Sequence, residues 1–214
     1  MTVQLIVFDF DGTIADTHSA FVNIVNRLSR QFGYQPIGEA EVARMRHLSS
    51  REIVNEARVP LWKLPFLLRK VTTELGTEIA NVLPIQGIDL ALIDLKKYGY
   101  RLGILTSNSK KNVLFFLEKN NLTDLFDFID SGTGIFQKDK AIKAVLKRHN
   151  LKAHQFVYVG DETRDIEAAK KINVPVVAVS WGFNSPEVLA KYQPSFLVST
   201  PQELVAALAT LRSQ

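Results

Sequence analysis

Apolar runs of strand length recur along the chain at residues 4–9, 101–106, 155–160, 175–179 and 195–199, with a weaker sixth at Phe126–Asp130. Between them, apolar positions return every three or four residues, the period of a helix with one buried face. The pattern predicts helices over 88–98, stopped by Gly99, over 110–121, opened by Ser109, and over 139–149. A further helix over 162–173 places Ile166, Ala169 and Ile172 on one face. Thr200-Pro-Gln-Glu203 is a capping box with proline at the first helical position, so a last helix starts there. Strands alternating with helices imply an α/β domain around a mostly parallel sheet.

One stretch breaks the alternation. Residues 17 to about 83 hold no strand pattern, and Phe21, Ile24, Val25, Leu28 and Phe32 fall at helical spacing before Gly33. Ser49-Ser-Arg-Glu52 is a second capping box. Leu61, Leu64, Leu68, Val71 and Leu75 continue the helical period, with Pro65 as a boundary or a kink. A helical insert of more than sixty residues therefore separates the first strand from the second. No internal repeat or low-complexity tract interrupts the chain.

With 214 residues, 46% of them apolar and 22% charged, the chain can bury a sizeable core without staples. It has no cysteine, which excludes disulfides, thiolate nucleophiles and cysteine-based zinc sites. The N-terminal apolar run is too short for a signal peptide or a membrane span, so the chain reads as cytoplasmic with no membrane partner. The net charge is +4 and the pI about 9.2, but basic residues are dispersed among acidic ones, apart from Arg44, Arg46, His47 and Arg51. No nucleic-acid partner is expected, whereas small anionic substrates would be attracted. Nothing in the pattern sets an oligomeric state.

In parallel α/β sheets, ligands bind beyond the carboxyl ends of the strands. Leu5–Phe8 leads into Asp9 and Asp11, Leu102–Leu105 into Thr106-Ser107-Asn108, and Phe156–Val159 into Gly160-Asp161-Glu-Thr-Arg-Asp165. Gln137-Lys138-Asp139-Lys140 opens the helix before that last strand. Aspartates gathered at one sheet edge repel one another unless a cation neutralises them. An oxygen-only donor set suits Mg²⁺ rather than zinc. A lysine, a hydroxyl and glycine-flanked amides are what a phosphoryl group needs, and a carboxylate can serve as the nucleophile. Plainer readings stand beside these. Asp16 either starts the first insert helix or serves a hinge, Lys140 is a solvated first-turn residue, and His18 lies on a helix surface. Glu162 and Arg164 flank their helix, with substrate contact or support of Asp161 the alternative for Arg164. Trp62 and Trp181 are packing residues.

Asp9-Phe-Asp11-Gly12-Thr13, Thr106, Lys138 and Gly160-Asp161-x-x-x-Asp165, in this order and on these elements, resemble the haloacid dehalogenase superfamily. The insert resembles the helical cap of its phosphoglycolate phosphatase-like members. The resemblance implies a Rossmann-like three-layer core with a mostly parallel sheet, from residues 1–16 and 84–214. It also implies an all-helical cap over 17–83 that sets substrate specificity. By the same resemblance, Asp9 is the nucleophile and Asp11 the general acid and then base. Mg²⁺ is held by the Asp9 carboxylate, the Asp11 main-chain oxygen and Asp161, with Asp165 acting through water and by positioning Lys138. Thr106 and Lys138 bind the phosphoryl oxygens, aided by amides of Gly12 and Ser107.

Many relatives carry Lys-Pro where this chain has Lys138-Asp139. Asp11 is present, which favours phosphate esters over dehalogenation or phosphonate cleavage. The expected activity is Mg²⁺-dependent hydrolysis of a small phosphorylated metabolite, phosphoglycolate-like, through an aspartyl-phosphate. A β-phosphoglucomutase-like phosphomutase uses the same core and is the alternative. A non-catalytic sensor of a phosphorylated ligand is a third reading, disfavoured by the intact Asp9, Asp11, Lys138 and Asp161. Arg51, at the start of a cap helix beside Ser49 and Ser50, is the candidate to grip a carboxylate or second phosphate of the substrate; a local cap or salt bridge is its plainer role.

Overall fold

The computed structural model describes residues 3–56, 59–132, 134 and 137–212. Strand β1 (Leu5–Phe8) is followed by helices α1 (His18–Phe32), α2 (Glu39–Met45), α3 (Ser50–Glu56) and α4 (Leu64–Glu78). Then α5 (Ile88–Lys97) leads to β2 (Arg101–Leu105), α6 (Lys110–Lys119) to β3 (Phe128–Asp130), and α7 (Lys138–Arg148) to β4 (Phe156–Gly160). Helix α8 (Thr163–Lys170) leads to β5 (Val176–Val179), α9 (Pro186–Lys191) to β6 (Phe196–Val198), and α10 (Pro201–Arg212) closes the chain.

The six strands form one sheet in the order β3-β2-β1-β4-β5-β6, and every pairing is parallel. Strand β1 is apolar at all four positions because it sits in the middle and is buried on both faces. Its side chains alternate. Ile6 and Phe8 pack with Leu92, Phe116 and Leu208 of α5, α6 and α10, whereas Leu5 and Val7 pack with Ile142, Ile166 and Leu189 of α7, α8 and α9. Each such fully buried side chain contributes about 1.5–3 kcal/mol. The result is a three-layer, Rossmann-like fold. Strand order reverses between β1 and β4, so the crevice for a ligand opens at their carboxyl ends.

The predicted helix starts form as the capping chemistry requires. The Ser109 hydroxyl accepts from the Asn112 amide at 3.2 Å, and Thr200 accepts from the Glu203 amide at 3.2 Å. Helix α9 was not expected, because six residues are too few to display a period; Pro186 fixes its first turn.

Between β1 and α5, Ile24, Leu28 and Phe32 of α1 meet Leu67, Val71 and Leu75 of α4 in an apolar cluster of their own. Ser49 and Glu52 form a reciprocal box, with Ser49 Oγ accepting from the Glu52 amide at 3.2 Å and the Glu52 carboxylate accepting from the Ser49 amide at 2.7 Å. Pro65 lies in the first turn of α4, so it marks a start and no kink. The chain enters and leaves this region side by side: the Asp16 amide donates to Leu83 O and the Ile85 amide to Ile14 O, both at 2.9 Å. Asp16 therefore belongs to this paired connection, and α1 begins two residues later without a side-chain cap. Trp62 departs from its expected packing role. It is 70% exposed, in a 3₁₀ turn ahead of α4. Trp181 does pack, donating from its indole to Thr13 O at 3.2 Å. Among the described residues, no helix is long and apolar enough to cross a membrane.

Candidate active site

The end of β1 turns sharply at Phe10–Ala15, where Phe10 O accepts from the amides of Ile14 and Ala15. Gly12 allows this turn. Its φ is +73°, and a Cβ there would lie 2.3 Å from Asp161 Oδ2, so the loop needs both the left-handed backbone and the missing side chain. The turn presses β1 and β4 chemistry together: Thr13 Oγ1 donates to Asp161 Oδ1 at 2.9 Å. The Phe183 amide donates to the other Asp161 oxygen at 2.7 Å.

Asp9 is buried at the carboxyl end of β1. Its Oδ1 accepts from the Phe10 amide at 2.8 Å, and its Oδ2 accepts from Lys138 Nζ at 2.5 Å. Lys138 is itself 1% exposed and also donates to Asp165, with the Tyr158 ring 5.5 Å away. Burial works against the charge on this lysine, but Asp165 and Asp9 outweigh it and hold the ammonium protonated, well above its ordinary pKa. Asp165 is placed by the first turn of α8, where its Oδ2 accepts from the Glu162 amide at 3.1 Å. Carboxylate oxygens of Asp9, Asp161 and Asp165 all lie within 4.8 Å of one another. Burial raises Asp9 and, more strongly, Asp161, whose neighbours Glu162, Asp165 and Asp9 add to the effect. Three carboxylates face a single ammonium here. A divalent cation fits that charge balance and that oxygen-only donor set.

Asp11 stands apart from this cluster. Asn108 Nδ2 holds both of its carboxylate oxygens, at 3.0 and 3.1 Å. Burial, then the charge of Asp9, push Asp11 up to about 7, against the lowering effect of the Asn108 hydrogen bond. Asn108 is fixed in turn: its Oδ1 accepts from Asn112 Nδ2 at 2.9 Å and from the Ser109 amide at 2.8 Å. Asn112 Nδ2 also donates to Thr72 O of α4 at 3.0 Å. Thr106, buried at the end of β2, accepts from the Asn108 amide at 3.0 Å, and Ser107 lines the cleft.

A cleft of about 1820 Å³ runs from Asp11, Ser107 and Asn108 to Ser50, Glu162 and Arg164. Asp9, Asp11, Gly12, Thr106, Ser107, Lys138, Asp161 and Asp165 are thus brought to one sheet edge. Arg51 is not among them. Its Nε donates to Glu167 Oε2 of α8 at 3.2 Å, and the side chain is 68% exposed. The box places the start of α3 as expected, but the residue it aims at the core is Ser50. Ser50 Oγ donates to Glu162 Oε2, and its amide donates to Thr163 Oγ1, both at 3.0 Å. Sequence reasoning also passed over Asn108 as a site residue, although it lies in the quoted Thr106-Ser107-Asn108 run; its partner is 97 positions away. Asp139, in the place of the usual proline, is paired with Lys171 at 2.6 Å and ties α7 to the end of α8.

The family model of haloacid dehalogenase-like hydrolases matches residues 6–179, from β1 to the end of β5. A phosphoglycolate phosphatase of Synechococcus elongatus is 38% identical over 212 residues, covering 99% of this chain and 100% of its own. One from Vibrio cholerae is 26% identical, covering 92% of each. Among solved structures, a predicted phosphatase from Clostridium acetobutylicum superposes with a TM-score of 0.84 at 21% identity, over 98% of this chain and 100% of that one. That likeness extends the fold over the whole chain, insert included. The matched span carries all the carboxylates gathered at the sheet edge, and a relative follows the chain from end to end, so this protein belongs to the haloacid dehalogenase-like hydrolase family.

Proposed function

We propose that this protein is a Mg²⁺-dependent phosphatase that hydrolyses a small phosphorylated carboxylic acid, phosphoglycolate first among candidates, through an aspartyl-phosphate. The observation that carries the reading is the different treatment of two neighbouring carboxylates. Asp9 is set against Lys138 in the buried cluster, whereas Asp11 is held separately by Asn108 with a pKa of about 7. A nucleophile must be ionised when it attacks, which at the buried Asp9 is favoured by the Lys138 ammonium and would be favoured further by a bound cation. An acid that later acts as a base works best near the operating pH. The full-length likeness to phosphoglycolate phosphatases supports the choice of substrate.

In the first step, an Asp9 oxygen forms a bond to phosphorus while the ester P–O bond breaks, and Asp11 gives its proton to the departing alcohol oxygen. In the second, deprotonated Asp11 takes a proton from water, whose oxygen attacks phosphorus and releases Asp9 and inorganic phosphate. Lys138 holds Asp9 in place and offsets charge on the phosphoryl oxygens, with the Thr106 hydroxyl and the Ser107 amide as further donors. The Gly12 amide, expected to help, instead donates to Ala15 O at 2.9 Å. Asp9, Asp161, Asp165 and the Asp11 main-chain oxygen would hold Mg²⁺, which when bound neutralises this crowd of acids and the incoming phosphate. Residues 17–83 act as the cap over the core of 1–16 and 84–214. Their separate apolar cluster and single paired connection support that division. The cleft exceeds the roughly 300–1,000 Å³ that a small ligand fills, in keeping with a cap that closes on substrate.

The test is release of inorganic phosphate from phosphoglycolate with Mg²⁺, comparing wild type with Asp9→Asn. Turnover by wild type, with acid-stable phosphoenzyme absent in the variant, is the expected result. Wild-type activity in Asp9→Asn would refute covalent catalysis by Asp9. Return of the phosphoryl group to a second hydroxyl, without free phosphate, would make the enzyme a mutase.

A further inference from the structure

With Arg51 committed to Glu167 outside the cleft, recognition of the rest of the substrate needs another cation. Lys138 is held by Asp9 and Asp165 at the phosphoryl end of the site. Arg44 and Arg69 also line the cleft, but Arg44 is half-exposed and bound to Glu41 and Glu56, and Arg69 is an exposed side chain of α4. Arg164 is different. It lines the same cleft as Asp11 and Ser50, its side chain is only 12% exposed, and it lies close enough to Asp9 and Asp11 for its charge to favour their ionised forms.

Its guanidinium is fixed but under-used. Among the described residues its one hydrogen-bond partner is Glu162, reached through Nη2, and its buried Nε has none. Glu162 is held from the other side by Ser50 of α3. The plane of the fork is therefore set by the protein, while donors remain uncommitted. A buried donor left unpaired is destabilising, so such an arrangement suits a partner that arrives with the substrate. Asp11 and Glu162 line the cleft beside Arg164, and Asp9 and Asp165 lie close enough for their charges to act on it. Together they would repel a second anionic group on the substrate without a cation of its own.

Resting on the phosphatase reading above, we propose that Arg164 is the receptor for the carboxylate of the substrate, gripping it through the guanidinium edge that Glu162 leaves free. A planar fork matches two carboxylate oxygens, and it is placed beyond the cluster at which the phosphoryl end reacts. Specificity for a phosphorylated acid then resides on α8 of the core, and α3 contributes through Ser50 by holding Glu162.

The experiment compares kcat/KM for phosphoglycolate and for an aryl phosphate without a carboxylate in wild type, Arg164→Gln and Arg164→Lys. In Arg164→Gln the loss on phosphoglycolate should exceed the loss on the aryl ester by about ten- to a hundredfold, mostly through KM. Arg164→Lys, which keeps the charge and the link to Glu162 but lacks the fork, should rank between. Inhibition by glycolate should weaken in step with the phosphoglycolate KM, and inhibition by inorganic phosphate much less. Equal losses on both esters, or none, overturn the assignment of Arg164 while leaving the phosphatase reading intact. A wild type that hydrolyses neither ester overturns the phosphatase reading and this inference with it.

Discussion

Replacing Asn108 with alanine tests whether the acid of this site is tuned by one amide. Asn108 Nδ2 donates to both oxygens of Asp11, and such donors favour the ionised carboxylate. Removing them raises the pKa of Asp11 from its starting point of about 7. A hydrogen bond to a charged group contributes about 1.5–3 kcal/mol, and each 1.36 kcal/mol moves a titration by one pH unit. Water entering the vacated space restores part of that, so the midpoint should move upward by about one pH unit. Stability is a poor readout, whereas the pH profile of turnover is a direct one.

The two chemical steps need opposite forms of Asp11, which fixes the sign for each substrate. With an alkyl phosphate, a poor leaving group makes the first step limiting. The rate then depends on protonated Asp11 and falls as pH rises through its pKa. With an activated aryl phosphate, breakdown of the phosphoenzyme limits, and the rate depends on deprotonated Asp11 and rises through the same pKa. In Asn108→Ala, both limbs should move to higher pH. At pH 7 the variant should therefore lose more on the aryl ester than on the alkyl ester. Profiles that superpose on those of wild type would refute the idea that Asn108 tunes Asp11. A uniform drop with unmoved midpoints would mean that the asparagine only holds geometry.

Chelation should abolish turnover and Mg²⁺ should restore it, with Ca²⁺ a poor substitute because it prefers a larger, looser oxygen shell; full activity in chelator would refute the cation site at Asp9, Asp161 and Asp165. Lys138→Met leaves Asp9 and Asp165 buried without their counter-charge, a loss of about 3–5 kcal/mol in denaturant melts. That deficit should shrink at lower pH, where Asp9, already raised by burial, takes up a proton and loses its unpaired charge. Gly12→Ala combines a φ of +73° with a Cβ 2.3 Å from the Asp161 carboxylate, so a lowered Tm, equivalent to about 1–3 kcal/mol, should accompany loss of activity. Arg51→Ala breaks only an exposed pair, and kcat/KM for phosphoglycolate should stay within about fivefold of wild type. A larger loss confined to phosphoglycolate would return recognition to α3.

Much of this architecture is legible in the chain because its causes are local. A central parallel strand must be apolar on both faces, and Leu5–Phe8 shows this without reference to any partner. Ser109 and Thr200 announce helix starts through hydrogen bonds that span three residues. What escapes is what depends on the opposite wall. Nothing near Arg51 in sequence reveals Glu167 on α8, which draws the guanidinium away from the cleft, or that Ser50 is the side chain facing the core. The tuning of Asp11 is distant in the same way, since Asn108 reaches it from the loop that follows β2. Trp62 fails for a simpler reason: a large apolar residue is a sound guess for the interior, but a 3₁₀ turn at a surface corner leaves it out.

Two of the polar links between the proposed cap and the core reach the groups assigned to chemistry, whereas others, such as Arg46 to Gly182 O, Asn184 to Leu48 O and Arg51 to Glu167, do not. One chain runs from Thr72 O of α4 through Asn112 and Asn108 to the Asp11 carboxylate. The other runs from Ser50 of α3 through Glu162 to Arg164. The apolar side chains of α1 and α4 are packed largely among themselves, so displacing these helices disturbs few of the apolar contacts that hold the sheet. Such a displacement would instead act on Asn112 and Glu162, and through them on the acid and on the proposed carboxylate receptor. Closure over a substrate would then set the proton donor and the specificity contact in the same movement, with the phosphoryl end already fixed by Lys138 and the buried aspartates.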